Sequence, residues 1–554
     1  MIFLGKTTKI PCNERNFLYI LNPVFELFLW KRFSRRSVFC RGVSEMGARM
    51  VFKIGFDNEK YLEEQSREIL ERVKMFNNKL YLEFGGKIMF DYHAARVLPG
   101  FDPNVKMRLL QMIKDDAEVI MCIYAGDIEK RKIRADFGVA YDADTMRTID
   151  DFTDRGVTVR AVVITRFNGQ PAAEAFKNKL ERRGVKVYTH SFTKGYPTDV
   201  DTIVSPEGYG KNAFIETEKP IVVVTGPGPG SGKFATCLSQ LYHENQRGVN
   251  AGYAKFETFP IWNLPLKHLV NVAYESATCD LKDVNMMDNF HFEAYGEVAV
   301  NYNRDLEAFP LIKRIIEKIT GQPSVYKSPT DMGVNRAGFG IIDDDAVQEA
   351  SKQEIIRRYY RYACEYAMGI ASEETAQRAE MIMKNIGAKP SDREVSEYAK
   401  KAAFDAKVKG KGSDGTYSGA AIELKNGEFV TGSNSPFMHA ASAMVINAVK
   451  KLAGIPKEIP LIPNHITEMV AHLKQNIFMR GNVSLDVEET LIALAISAAY
   501  NPSAAFAMEK LKDLRGCEVH LTHIPTPGDE MGLRKLGLNV TSEPEFATTH
   551  LVNA

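Results

Sequence analysis

The chain has 554 residues, 45% of them hydrophobic and 25% charged, with a formal net charge of +1. That length exceeds one compact core and suggests about three or four domains, while the near-neutral balance excludes a strongly basic nucleic-acid partner surface. Seven cysteines, Cys12, Cys40, Cys122, Cys237, Cys279, Cys364 and Cys517, are scattered without a C-x-x-C pair, which fits a reducing, cytoplasmic compartment and argues against disulfides or a thiolate zinc site.

Residues 1–45 differ in pattern from the rest of the chain. Phe17–Trp30 is apolar, and Lys31, Arg32, Arg35, Arg36 and Arg41 come after it. The run is shorter than the roughly 20 residues of a membrane span and carries Asn22, Pro23 and Glu26. A secretory signal would place the basic cluster on the other side. The stretch reads as a non-structural extension with the true start at Met46 or Met50; a mitochondrial-type leader is the alternative. No membrane partner is expected.

From Met50 to Asn212 strand and helix alternate. Helical spacing covers Lys60–Phe76, Met107–Ile113, Asp142–Arg155 and Pro171–Arg183. Strand patterns cover Leu80–Phe84, which runs into Gly85-Gly86-Lys87, then Ala117–Tyr124, Thr158–Thr165 and Val185–Thr189. Repeated β-α-β units of this length predict a parallel sheet with helices on both faces.

The next unit carries the main motif. Ile221–Lys233 reads IVVVTGPGPGSGK, followed by helical spacing over Phe234–Gln246 and a strand at Asn250–Phe256. A buried strand, a glycine loop, a lysine and a helix make a phosphate cradle, in which backbone N–H groups and the helix dipole meet an anion and the lysine reaches its outer oxygens. The P-loop pattern has glycine five residues before Gly232 and a hydroxyl after the lysine; here those positions hold Pro227 and Phe234. Gly226, Gly228, Gly230, Ser231, Gly232, Lys233 and Thr236 are the candidate cofactor-binding residues. A tight β-to-α turn with no ligand is the other reading.

Phe256–Asn335 is rich in aromatics, prolines and loops, and long ordered loops tend to be functional. Helices follow at Asp305–Ile319, Asp345–Met368, Glu373–Ile386 and Ser391–Lys407, the last behind an apparent capping box, Ser391 to Glu394. Val408–Gly415 has linker composition. Beyond it, strands at Ala420–Leu424 and Glu428–Thr431 flank Asn426-Gly427, a hairpin signal. Helices at His439–Ala453, Glu488–Ala498 (with an Asp486…Glu489 start signal) and Ser503–Leu514 precede strands at Cys517–Thr522 and Leu538–Thr541. The fold class is α/β: a Rossmann- or P-loop-like parallel sheet over 46–335, a helical subdomain over 336–410 and a C-terminal α/β subdomain over 411–554.

Six stretches carry a resemblance: YLEFGGK (Tyr81–Lys87), RVLPGFDP (Arg96–Pro103), SPEGYGKN (Ser205–Asn212), VVVTGPGPGSGK, KFETFPIWNLPLKH (Lys255–His268) and YKSPTDMGVN (Tyr326–Asn335). Through them residues 50 to about 546 resemble the bacterial family called domain of unknown function 1846, a resemblance that implies no particular activity. Gly419–Gly454 and Cys517–Val540 are similar to parts of the cytidine-deaminase fold. That fold's chemistry needs H-x-E and P-C-x-x-C, where this chain has His439-Ala440-Ala441 and Pro525-Thr526-Pro527-Gly528-Asp529. The glutamate and both thiolates are missing, so no zinc is expected; a remnant metal set of His439, His520 and His523 is the minor alternative.

If Lys233 holds phosphates, a magnesium-binding carboxylate belongs at the end of a neighbouring strand. Glu257 and Asp288 are the candidate catalytic residues, with Asp280 and Asp283 as further options and Arg304 as a charge neutraliser. Lys87 and Lys211 offer two more glycine–lysine loops. Trp262 and Phe259 either stack a base or close the core. Two functions stay open: a nucleotide-dependent phosphotransferase or ATPase that binds a nucleotide or other phosphorylated small molecule, using ATP and Mg2+, or a non-catalytic ligand-binding or regulatory homo-oligomer in which the altered P-loop and the zinc-less deaminase-like scaffold are relics. The apolar helices Ala440–Val449 and Leu491–Ala499 point to a homo-oligomer.

Overall fold

A computed structural model describes residues 53–548 apart from 135–137, 414 and 480. The extension over 1–45 and the alternative starts at Met46 and Met50 lie outside the described residues. Six strands form one parallel sheet: β1 (Leu80–Phe84), β2 (Ala117–Tyr124), β3 (Thr158–Thr165), β4 (Val187–Thr189), β5 (Ile221–Thr225) and β6 (Gly252–Phe256), in the order β4-β3-β2-β5-β1-β6. All five residues of β1 and of β5 are buried. A parallel sheet covered on both faces selects such largely apolar runs, Glu83 being the charged residue within β1.

Helices flank the sheet, among them α1 (Asn58–Met75), α2 (Tyr141–Asp154) and α3 (Lys233–Gln246). The chain runs outward from β2 to β3 and β4, returns to insert β5 between β2 and β1, and passes beyond β1 to β6. Connections therefore leave β2 and β5 in opposite directions, which makes their carboxyl ends the switch point where α/β sheets bind ligands. A short hairpin, β7 (Asn285–Met287) with β8 (Val300–Tyr302), leads into α4 (Asn303–Thr320) and the long α5 (Asp344–Ala367). Val347, Ile355, Ile356 and Tyr360 of α5 belong to the same buried apolar cluster as the sheet.

After α6 (Glu394–Val408) comes a second sheet, β9 (Gly419–Glu423), β10 (Phe429–Ser433), β11 (Glu518–Leu521) and β12 (Asn539–Ser542), in the order β10-β9-β11-β12. Its β11–β12 pair is parallel and the other pairs antiparallel. With α7 (Ala440–Ala453), α8 (Val487–Ala498) and α9 (Pro527–Lys535) it encloses a separate apolar cluster. α7 is largely buried there, whereas α8 leaves Ile492 and Ile496 exposed.

Three local features differ from expectation. Pro390–Asp392 forms a 3-10 turn and α6 starts at Glu394, so the box expected from Ser391 to Glu394 does not form. The cause is Arg393, 2% exposed and drawn into the protein by Glu518, Thr541 and the carbonyls of Val519 and Asn539. The box at Asp486 and Glu489 does form and starts α8. The stretch Ser503–Leu514 divides into an α-helix, Pro502–Glu509, and a 3-10 turn, Lys510–Leu514. Helices at Leu269–Ala277, Asn289–Tyr295 and Asn464–His472 were not expected from the local pattern. No helix among the described residues is long and apolar enough to cross a membrane.

Candidate functional site

The glycine loop follows β5 at the switch point, and its sequence is dictated by crowding. A Cβ at Gly226 would lie 2.2 Å from the Cys122 carbonyl oxygen, and one at Gly228 would lie 2.4 Å from the Tyr141 hydroxyl. Gly232 caps α3 at φ 91°, a left-handed conformation that favours glycine. Gly226→Ala is accordingly expected to cost about 1–3 kcal/mol by overpacking; Gly481→Ala, where the added methyl meets nothing within 4 Å, serves as the near-neutral control in urea unfolding.

Three of the loop's carbonyl oxygens are taken up by the protein. Lys233 Nζ donates to the Gly228 oxygen at 3.3 Å, Thr165 Oγ1 donates to the Ser231 oxygen at 2.8 Å, and Arg166 donates to the Gly230 oxygen. No side chain caps the N-terminus of α3, whose first amides have no intrahelical acceptors. Cations and N–H groups therefore converge on one spot. Arg166 also lies over the Tyr124 ring, 3.4 Å from its centroid, which fixes the guanidinium beside the loop.

Two hollows flank this loop. The larger, about 280 Å3, is lined by Gly230, Gly232, Lys233 and Phe234 of the loop and helix start, by Arg166 beside them, and by His190, Ser191, Phe192, Tyr196, Asn212 and Glu83. Phe192 and Tyr196 are 64% and 48% exposed at its mouth. Burial pushes the His190 imidazole down to about 4, and its Nε2 sits 3.1 Å from the Ala213 carbonyl, so the ring is a neutral donor. Glu83 is a carboxylate at the end of β1, the strand next to β5; it accepts from the Tyr253 hydroxyl at 2.8 Å. The smaller hollow, about 30 Å3, is lined by Gly86, Lys87, Met121, Arg147, Thr148, Thr225 and Gly226, with others.

Of the expected site residues, Gly230, Gly232, Lys233 and Thr236 line the larger hollow and Gly226 the smaller. Thr236 is buried, its hydroxyl accepting from Cys122 Sγ at 3.4 Å, and Ser231 is buried too. Glu257 lies elsewhere, beyond β6, in a cluster with Lys255 (3.1 Å), Tyr302 and Asp305. Burial, with Asp305 and Glu83 adding like charge, pushes its carboxyl up to about 7 against the pull of Lys255. Asp288 is buried and caps the helix Asn289–Tyr295, accepting from the amides of His291 and Thr330 and from the Thr330 hydroxyl. Asp280 accepts from the Tyr362 hydroxyl, and Asp283 forms a paired contact with Arg304. Phe259 is buried against Tyr274, and Trp262 donates to the Asn335 carbonyl. Lys211 is exposed.

Sequence reasoning missed Glu83, Arg166, His190, Phe192 and Tyr196. The one available signal was position: Glu83, Arg166 and His190 stand at or just after the carboxyl ends of β1, β3 and β4.

In the C-terminal part, Thr526, Asp529 and His439, at the positions compared with deaminase zinc ligands, do meet. His439 Nδ1 lies 2.7 Å from Asp529 Oδ2, and Thr526 Oγ1 donates to the same oxygen at 2.8 Å. His520 is separate, bonded to Thr541 and packed on Tyr360. No group of three or more His, Cys, Asp or Glu suited to a metal occurs among the described residues.

Comparison with known proteins agrees along nearly the whole described chain. Family models described as "Domain of unknown function DUF1846, N-terminal" and its C-terminal counterpart match residues 54–387 and 391–552. A "UPF0371 protein" of Clostridium botulinum strain Alaska E43 is 59% identical over 499 residues, covering 90% of this chain and 99% of the relative. The protein of the same name from strain ATCC 19397 matches with the same identity and coverage. The chain belongs to the DUF1846 family.

Proposed function

We propose that the protein binds a phosphorylated small molecule in the larger hollow, a magnesium-bound nucleotide being the ligand class that suits it best. The observation that carries this reading is the convergence of Lys233, Arg166 and the uncapped amides of α3 on a loop in which the Gly228, Gly230 and Ser231 carbonyls are already hydrogen-bonded. An anion there meets two cations and the positive end of the helix dipole. Phe192 and Tyr196 give a ring a surface to stack on. Glu83, on the strand beside β5, is the residue that would hold the magnesium ion, which lowers the charge repulsion of the phosphates; Thr236 is less suited, since its hydroxyl already serves Cys122. The five described cysteines are all buried free thiols, in keeping with the cytoplasmic reading.

The test is titration calorimetry of the full chain with magnesium-ATP and with pyrophosphate. Lys233→Ala and Arg166→Ala should each weaken both ligands at least tenfold, whereas Phe192→Ala should weaken ATP alone. Unchanged affinity in both cation variants would sink the proposal. A ligand at about 100 times its dissociation constant adds about 2.7 kcal/mol to stability, so thermal unfolding gives a second readout. Among the described residues Glu83 is the one carboxylate lining this hollow, which also keeps the non-catalytic reading open: binding without release of inorganic phosphate would support it.

A further inference from the structure

We infer that His190, Tyr209 and Asn212, in the wall of the larger hollow, read the edge of a nucleobase and so decide which nucleotide the site takes; this rests on the phosphate-binding reading of the loop. The three residues come from two segments that the fold locks together. His190 follows β4, and Tyr209–Lys211 is a 3-10 turn that ends at Asn212. The Ser191 amide donates to Asn212 Oδ1 at 3.2 Å, and His190 Nε2 donates to the Ala213 carbonyl at 3.1 Å. Behind the turn stands α3. Its Ser239 hydroxyl donates to the Tyr209 carbonyl at 3.3 Å, and His243 Nε2 lies 2.7 Å from the Asn212 carbonyl. The wall is thereby tied to the same helix that starts at Lys233. It is built from the SPEGYGKN stretch, where a Cβ at Gly208 would lie 2.2 Å from the Ile203 carbonyl oxygen.

Each of the three side chains carries a polar group that bonds no residue of the protein. The neutral His190 ring gives its one N–H to Ala213, so Nδ1 is an acceptor. Asn212 Oδ1 is committed to Ser191, which fixes the orientation of the amide and leaves both Nδ2 hydrogens as donors. Tyr209 is engaged through its backbone, and its hydroxyl is left to donate or accept. All three side chains line the hollow, and each is 5% exposed or less. Polar groups buried to that degree are normally paired, so three that open on one hollow point to a ligand.

The pattern also says what kind of ligand. An ionised phosphate offers only acceptors and gives His190 Nδ1 nothing, so the group in this wall is the part of the molecule beyond the phosphates. The wall presents one acceptor, one double donor and one hydroxyl that serves as either, with the rings of Phe192 and Tyr196 at the mouth. A nucleobase has the two matching features: a flat face to stack, and an edge on which donors and acceptors stand side by side. The bases set those groups in different orders, and a buried polar group left unpaired is what rejects the wrong one.

The experiment is calorimetry of the full chain with the magnesium complexes of ATP, GTP, CTP and UTP, and with pyrophosphate, on wild type, Tyr209→Phe and Asn212→Asp. Wild type should prefer its best nucleotide over its worst by about tenfold or more. Tyr209→Phe removes a hydroxyl that bonds nothing in the protein, so it should unfold at the wild-type temperature and keep its pyrophosphate affinity, yet weaken the preferred nucleotide about fivefold. Asn212→Asp keeps the oxygen that accepts from Ser191 but exchanges the donors for an acceptor; relative to pyrophosphate it should weaken that nucleotide about tenfold or more. Equal affinity of wild type for the four nucleotides, or a nucleotide-to-pyrophosphate ratio that neither substitution moves, overturns the inference. Uptake of neither nucleotide nor pyrophosphate by wild type would instead sink the phosphate reading. The four free nucleosides then decide the inference by themselves: a preference among them that Tyr209→Phe lowers about fivefold upholds it, and no uptake or no preference overturns it.

Discussion

Replacing Glu354 with glutamine is expected to cost about 3–5 kcal/mol, the range found when one partner of a buried ion pair is removed. Glu354 is on α5 and its side chain is 1% exposed. Its oxygens accept from Arg96 at 2.7 and 3.1 Å, from Arg358 at 2.9 Å and from Arg357, with His93 Nδ1 at 3.1 Å. Arg357 continues to Glu518 on β11 at 3.1 Å, and Glu518 also holds Arg393 at 2.7 Å. Two carboxylates thus hold four guanidiniums across the junction between the parallel sheet and the C-terminal sheet. Glutamine keeps the shape but leaves three guanidiniums without their shared counter-charge. Burial opposes the ionised form of Glu354, yet the arginines outweigh it and hold its carboxyl well below the ordinary 4.5. The carboxylate's contribution is therefore present above about pH 4.5 and lost as pH falls through the depressed value. Urea unfolding at neutral pH should show the loss, and the gap between wild type and variant should shrink in acid. An equal stability at neutral pH would mean that the arginines find their acceptors elsewhere.

What could be read from sequence divides by range. The β5–loop–α3 unit was legible because strand, glycines and helix are contiguous, and local propensity agrees with tertiary role. β1, β2 and β3 kept their expected bounds, since each carries a largely apolar, largely buried run interrupted by a single charged residue. The two capping boxes show the limit. Asp486 and Glu489 cap a helix even though Glu489 also accepts from Lys474, because that contact leaves the box geometry intact, while the Ser391 box fails because Arg393 inside it is taken by Glu518. That competitor is 125 residues away and leaves no local trace. The same limit governs the candidate site. Lys233 was found from its neighbours, but Arg166 and Glu83 enter only once β3 and β1 are known to flank the centre of the sheet. Lys87 stood out as a glycine–lysine turn; Arg147, which lines the same hollow, lies on an ordinary amphipathic helix and offered nothing to read.

Glu257 gives the second large expected effect, a loss of wild-type stability as pH rises that Glu257→Gln should abolish. The residue follows β6, where a Cβ on Gly85 would come within 2.7 Å of its Cγ, so the carboxyl is pressed against the glycine turn. Lys255 sits between Glu257 and Asp305, at 3.1 and 2.6 Å. One lysine cannot neutralise both carboxylates there together with Glu83, its neighbour across the β1–β6 pairing. The proton is retained on Glu257, whose carboxyl rises from 4.5 to about 7. The folded chain then binds that proton more tightly than the unfolded chain. Its contribution is complete below about pH 4.5, declines as pH rises and is gone above about pH 7. At 1.36 kcal/mol per unit the span is on the order of 3 kcal/mol. Glutamine mimics the protonated acid, so the variant should match wild type near pH 5 and exceed it near pH 8, by urea unfolding in buffers of constant ionic strength. A difference that stays flat across the window would make Glu257 a permanently ionised partner of Lys255 and overturn the prediction.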